Sequence, residues 1–257
     1  MTDSLPLLAD RLHSDKVLVT AWSGMPDAQA VNTLARCGYD AVTLDMQHGQ
    51  HTFTSLISGI AEIRAAQRHA LVRVPLADWA MVSRALDAGA EAVIAPMIND
   101  ADDAQSFVAA AKYPPVGERS WGPLRAMALR DRDGQSYLEE ANRACLAIAM
   151  IETPRAIDNL EAILAVKGID GILLGPSDLS LTLSGGVRID PSGRPTQKAI
   201  AGITRRARAA GKVCAIFCNS ADDARAAVAL GSPLIVLGVD VLMMQAGART
   251  LLDDFQS

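Results

Sequence analysis

Two carboxylates stand at matching places in this chain. Glu152 closes the run Cys145-Leu-Ala-Ile-Ala-Met-Ile-Glu, and Asp178 follows Gly171-Ile-Leu-Leu-Gly-Pro-Ser. Each comes just after a short apolar run with the composition of a buried strand, so each lies where a strand passes into its loop. Acidic oxygens with few basic residues near them in sequence suit a divalent cation such as Mg²⁺ or Mn²⁺, with waters and a substrate oxygen completing an octahedron. Taken singly, each acid has a structural explanation. Glu152 fits the N-terminus of a helix beginning at Pro154, and Asp178 fits a cap within Pro-Ser-Asp-Leu-Ser. Taken together on neighbouring strands, a shared cation is the better reading.

Other polar residues fall at the same end of apolar runs. Arg73 ends Leu71-Val-Arg-Val-Pro75. An arginine in an apolar strand needs an anion, either a neighbouring acid such as Asp45 or a substrate oxyanion. His48 lies three residues past Asp45 and is placed to act as a base near neutral pH with Asp45 orienting it. His51 is the weaker candidate and reads equally as a surface residue. His13 and His69 precede strands and are set aside. Trp22 is expected as a pocket wall, with a core position as the alternative. The five lysines, Lys16, Lys112, Lys167, Lys198 and Lys212, fall before strands or on helices, so none is placed for a Schiff base. Carbonyl chemistry at this end would therefore use a metal.

What must position these groups is a strand–helix alternation running almost end to end. Strands are expected at Lys16–Trp22, Ala41–Asp45, Ala70–Val74, Ala92–Ala95, Cys145–Ile151, Gly171–Leu174, Val213–Phe217 and Leu234–Leu237. Helices are expected over Asp27–Cys37, Phe53–Ala66, Asp78–Ala88 and Asp100–Ala111, with four more starting near Pro154, Thr196, Ser220 and Val241. Short, apolar, non-alternating strands belong to a parallel sheet covered by helices on its outer face. Eight βα units in 257 residues predict one α/β domain, a (β/α)8 TIM barrel over 1–257. An open doubly wound sheet is the competitor, but no G-x-G-x-x-G follows the first strand. The strand ends would then gather Trp22, Asp45 to His48, Arg73, Pro96-Met97, Glu152, Asp178, Phe217 and Gly238 to Asp240. The segment Tyr113–Asn142 breaks the rhythm and is expected above the barrel mouth as a lid or subunit contact. Ser184–Pro195 reads as a connection.

Half of the residues are hydrophobic and the net charge is −5, which gives no electrostatic reason to expect nucleic acid or an anionic membrane as partner. The first residues lack the basic and apolar regions of a signal peptide, and no apolar run approaches the roughly 20 residues of a membrane span. Cys37, Cys145, Cys214 and Cys218 have neither zinc nor redox spacing, in keeping with a reduced, cytoplasmic setting.

These residues and their order resemble the HpcH/HpaI aldolase family, metal-dependent class II aldolases that use pyruvate. The likeness runs from about Leu18 to Leu252 through Leu44-Asp-Met-Gln-His-Gly49, Val72-Arg-Val-Pro75, Leu86-Asp-Ala-Gly-Ala-Glu-Ala-Val-Ile-Ala-Pro96 and Gly117-Glu-Arg119, then Met150-Ile-Glu-Thr153, Gly168 to Ser180 and Leu237-Gly-Val-Asp240. The resemblance implies cleavage of 4-hydroxy-2-oxo acids to pyruvate (or another 2-oxo acid) and an aldehyde. It implies that Glu152 and Asp178 bind a divalent metal (Mg²⁺, Mn²⁺ or Co²⁺), that Arg73 contacts the pyruvate oxygen, and that His48 and Asp45 form an acid/base dyad. Gly175, Pro176 and Ser177 would lead a loop whose N–H groups meet the carboxylate, with Trp22 and Phe217 in the pocket. It also implies a homohexamer, a trimer of dimers that exchange their C-terminal helices. Three positions depart from the family: Gln47 replaces a frequent glutamate, Met150 a glutamine, and Phe217 a smaller aliphatic residue. The alternatives are a β-hydroxyacyl-CoA lyase on the same scaffold, which needs a basic surface for CoA phosphates that no obvious cluster supplies, Arg119 to Arg132 being the one candidate stretch, and a barrel that only binds a ligand.

Overall fold

The computed structural model describes residues 5–257. Eight parallel strands close into a barrel in chain order: β1 (Leu18–Ser23), β2 (Ala41–Asp45), β3 (His69–Arg73), β4 (Ala92–Ala95), β5 (Leu146–Ile151), β6 (Gly171–Leu174), β7 (Val213–Cys218) and β8 (Leu234–Val239). The apolar runs are continuous because both faces of every strand are covered. Val42, Leu44, Val72, Val93, Ile172 and Ile216 face the helices, while Leu18, Leu71, Ile94, Ile148, Leu173 and Val236 fill the interior. The N-terminal end is plugged by the helix Leu8–Leu12, whose Leu8, Ala9 and Leu12 join the interior cluster.

Each strand is followed by helix, as expected, but the helices outnumber the eight anticipated. The stretch after β5 divides into Pro154–Asp158 and Leu160–Ala165, and Pro176–Leu183 precedes Arg194–Ala209 after β6. The largest correction concerns Tyr113–Asn142. It holds two helices, Leu124–Arg130 and most of Gly134–Ala144, and it lies at the N-terminal end of the barrel, away from the mouth. Arg130 donates to the Ala144 carbonyl just before β5, Lys112 Nζ binds the Asn142 and Cys145 carbonyls, and Arg125 binds the Ala88 and Ile57 carbonyls. The reason is topological. A segment joining a helix to the next strand returns to the end where strands begin, opposite the end where strands deliver residues to a site. Among the described residues no helix is long and apolar enough to cross a membrane.

The last helix, Asp240–Gln256, is exposed along nearly its whole length. Leu242, Met244, Leu251, Leu252 and Phe255 all present their side chains to solvent.

Candidate active site

At the C-terminal ends of the strands lies a cavity of about 360 Å³. Its lining brings together the residues assigned roles in sequence, Trp22, Asp45, His48, Arg73, Glu152, Gly175, Pro176, Ser177, Asp178 and Phe217, with Val239 and Asp240, whereas Met46, Gln47, His51, Pro96, Met97 and Gly238 do not line it. The lining residues come from β1, β2, β3, β5, β6, β7 and β8, so no two strand ends would suffice to build it.

Glu152 follows β5 and is 3% exposed. It does not cap the next helix, because Thr153 does so by accepting from the Ala156 N–H. Asp178 sits in the first turn of Pro176–Leu183, and that helix has Gly175 at its cap with no side-chain cap bond. Both structural explanations for the acids therefore fall away. Glu152 Oε2 accepts from the Met97 N–H at 3.0 Å, with Met97 held at φ 56° in the left-handed region. Such backbone strain in a non-glycine residue costs on the order of 1–3 kcal/mol and is often found at functional sites. Burial pushes the Glu152 carboxyl up to about 7; the Met97 N–H opposes this, and the adjacent Asp178 carboxyl adds to it. Gly175 packs closely beside it: a Cβ there would come within 2.9 Å of Glu152 Oε1 and push the carboxylate aside. Two hard carboxylates facing each other without an ion-pair partner among the described residues are a donor set that suits a divalent cation, with solvent and substrate oxygens supplying the remaining positions. No group of three or more His, Cys, Asp or Glu with metal-ligand geometry occurs among the described residues, so any ion here rests on two protein carboxylates.

Arg73 takes the ion pair that sequence offered as the bland alternative. Its Nε and Nη2 donate to Asp45 Oδ1 and Oδ2 at 2.8 and 2.6 Å, a bidentate clasp. The guanidinium also lies 4.9 Å from the Trp22 ring centroid, and Trp22 Nε1 donates to Asp45 Oδ2 at 3.2 Å. Burial alone would raise the Asp45 carboxyl, but Arg73, the Gln47 N–H and the Trp22 indole more than offset it and hold it below its usual range. Asp45 also accepts from the backbone N–H groups of Gln47, His48 and Gly49. The expected dyad is thus corrected. Asp45 meets His48 through the backbone, and its carboxylate shapes the loop and pins Arg73 instead of orienting the imidazole. His48 itself is exposed at the cavity rim.

His51 is corrected as well. It is 5% exposed, with Nε2 3.1 Å from Ser23 Oγ and Nδ1 3.2 Å from Ser55 Oγ. Burial lowers its pKa, against the pull of Asp240 and Asp45. Ser23 in turn donates to Asp240, which joins the end of β8 to the loop after β1. Gly24, Gly49, Gln50 and Val241 also line the cavity and were not anticipated. Gly49 carried a signal in its place after Asp45-Met-Gln-His, where the turn packs so tightly that a Cβ would sit 2.4 Å from the Asp45 carbonyl oxygen. Phe217 meets Trp22 edge to face at 5.5 Å between centroids, forming one wall.

The sequence profile of the HpcH/HpaI aldolase/citrate lyase family matches residues 19–246. A hydroxypyruvate/pyruvate aldolase from Rhizorhabdus wittichii is 37% identical over 236 residues, covering 92% of this chain and 93% of that protein. A 4-hydroxy-2-oxo-heptane-1,7-dioate aldolase from Salmonella dublin is 32% identical, covering 94% of this chain and 91% of that protein. Among solved structures, an HpcH/HpaI aldolase from Desulfitobacterium hafniense superposes with a TM-score of 0.90 at 27% identity over 98% of this chain and 97% of that one. The chain belongs to the HpcH/HpaI aldolase/citrate lyase family, whose aldolases are carbon–carbon lyases.

Proposed function

We propose that this protein is a divalent-cation-dependent aldolase that cleaves 4-hydroxy-2-oxo acids reversibly into pyruvate, or a close 2-oxo acid, and an aldehyde. The observation that carries this reading is the couple of buried Glu152 and half-buried Asp178, without an ion-pair partner among the described residues, facing Arg73 across one cavity. Glu152 and Asp178 would hold the cation, which when bound supplies Lewis-acid polarisation of the 2-oxo group. The relatives named hydroxypyruvate/pyruvate aldolase and 4-hydroxy-2-oxo-heptane-1,7-dioate aldolase support the same substrate class.

The chain's own residues then divide the work. The helix Pro176–Leu183 opens with the free N–H groups of Ser177 and Asp178, which suit the substrate carboxylate. Arg73, held flat by Asp45 and Trp22, presents a fixed positive charge where the 2-oxo oxygen becomes an oxyanion. His48, at the open rim, takes the proton of the C4 hydroxyl. The C3–C4 bond breaks, its electrons pass toward C2 and its oxygen, and the aldehyde departs. Returning that proton to C3 gives pyruvate, so no net proton is consumed. The CoA-lyase alternative loses its basic surface here. Arg119 pairs with Asp87, and Arg125 binds carbonyls of neighbouring helices, at the far end of the barrel from this cavity.

Metal-free protein mixed with pyruvate in D₂O, with and without Mg²⁺, Mn²⁺ or Co²⁺, tests the reading by the NMR methyl signal. Cation-dependent deuterium exchange is expected. Absence of exchange with folded, cation-loaded protein would overturn pyruvate as donor, and exchange without cation would overturn the role of Glu152 and Asp178.

The exposed apolar side chains of Asp240–Gln256 support the proposed exchange of this helix between protomers. Removing residues 242–257 is expected to lower the mass measured by light scattering; an unchanged mass would remove the helix from the assembly.

A further inference from the structure

The cavity has room for more than the 2-oxo acid. Pyruvate has six non-hydrogen atoms, and at no more than a water's share of about 30 Å³ each they leave about half of the space free. One side, built by β5 and β6, carries Glu152, Asp178 and the helix N-terminus. The opposite side is built by β8, β1 and β2, and is lined by Val239, Asp240, Val241, Gly24 and Gln50, with Phe217 adjoining.

The polar chemistry of this second side is specific. Asp240 Oδ2 is filled by three donors: Ser23 Oγ at 3.0 Å, and the Gly24 and Met25 N–H groups at 2.8 and 2.9 Å. Oδ1 accepts from the Val241 N–H at 2.8 Å and, among the described residues, from nothing else, so it keeps a lone pair for a further donor. Gly24, the residue beside it, has no side chain to cover it; even a Cβ there would stand 3.6 Å from Oδ1. Among the described residues of one chain, Arg73 is the one arginine in the lining and no lysine lines it, and both carboxylate oxygens of Asp45 already hold the Arg73 guanidinium. A carboxylate on the incoming aldehyde would therefore meet Asp240 and Gln50, with no free arginine or lysine from the described residues of the same chain opposite it.

Resting on the aldolase reading, we propose that this half of the cavity selects a short, uncharged aldehyde bearing a hydroxyl, with Asp240 Oδ1 accepting from the hydroxyl and its charge disfavouring carboxylated aldehydes. Phe217, Val239 and Val241 face the carbon skeleton. Asp240 is then the specificity-determining residue, fixed in place by the same bonds that join β8 to β1.

The test is aldol addition of pyruvate to two matched pairs of aldehydes by cation-loaded wild-type protein, with pyruvate deuterium exchange followed alongside. Butanal against succinic semialdehyde reads charge; glycolaldehyde against propanal reads the hydroxyl. Succinic semialdehyde is expected at least about tenfold below butanal in kcat/KM, because like charges brought together in a cavity repel strongly. Glycolaldehyde is expected to exceed propanal. In Asp240→Asn the gap between butanal and succinic semialdehyde narrows. Equal or better use of succinic semialdehyde, or equal use of propanal and glycolaldehyde, overturns the selection while intact exchange leaves the aldolase reading standing. Loss of exchange overturns both. A folded Asp240→Asn with an unchanged gap removes Asp240 from the role. Should that variant fail to fold, the wild-type panel still decides.

Discussion

Glu91 and Glu152 are the same residue type, each 3% exposed, at opposite ends of one barrel, and their carboxyls shift in opposite directions. Glu91 lies just before β4, at the N-terminal end. Burial raises its pKa, but His69 at 3.0 Å and Arg64 at 3.1 Å more than offset it, so it stays ionised. The same end holds Lys112, bound to Asp170 Oδ2 and two carbonyls, and Arg119, bound to Asp87. Every one of these charges is answered from within the chain. At the mouth, Glu152 is answered by one backbone N–H and opposed by Asp178. The contrast teaches that burial alone does not mark a site. A buried acid satisfied by its own chain serves the fold, whereas a buried acid left facing another acid is kept for something from outside.

The strongest way to break the comparison is to remove the acids at the mouth. Glu152→Ala or Asp178→Ala is expected to cut cation-dependent turnover by about a thousandfold or more, because Lewis-acid stabilisation is worth several kcal/mol. The melting temperature should hold or rise, since a repelling pair is relieved. Activity retained with cation titrated by calorimetry would sink the assignment. Next in size is Lys112→Met at the other end. It leaves Asp170 and two carbonyls without their cation, and breaking such a pair costs about 3–5 kcal/mol. Chemical denaturation should show that loss while turnover per folded molecule stays the same. Equal damage to activity would mean that the two ends are not separable.

Arg73→Lys sharpens the picture within the mouth. A lysine cannot reproduce the bidentate clasp on Asp45 or the stacking on Trp22, so kcat is expected to fall about 10- to 100-fold with little change in fold. A full-activity lysine variant would show that only charge matters there.

The last test of the contrast is in pH. The folded Glu152 titrates at about 7 against 4.5 unfolded, so the folded protein binds a proton that the unfolded chain has released. Stability without cation therefore declines as pH rises from about 4.5 to 7, by about 3 kcal/mol from this group. Glu91 runs the other way: its stabilisation is present above its unfolded value and is lost in acid. Cation affinity should weaken by up to about tenfold per pH unit below about 7, with a proton released on binding. Melting curves across pH 5–8, with and without Mn²⁺, check both; pH-independent affinity would contradict the raised Glu152.

Sequence by itself determined the strand order, the parallel barrel and the list of groups at its mouth. Short unalternating apolar runs are a local property, and a parallel barrel brings every strand's C-terminal end to one face whatever the loops do. That is why Glu152, Asp178, Arg73 and Phe217, spread over 145 positions, could be gathered from spacing alone. Only the tertiary structure decided which partner each group takes. Asp45 could serve His48 or Arg73 on paper, and a bidentate guanidinium in register across β2 and β3 took it. His51 looked like a surface residue until β1 and β8 placed Ser23 and Asp240 beside it. The segment Tyr113–Asn142 lies at the N-terminal end because it joins a helix to the next strand, a matter of connectivity that its composition does not report. Partnership among polar groups depends on angstrom-scale geometry between distant strands, and that is settled when the barrel closes.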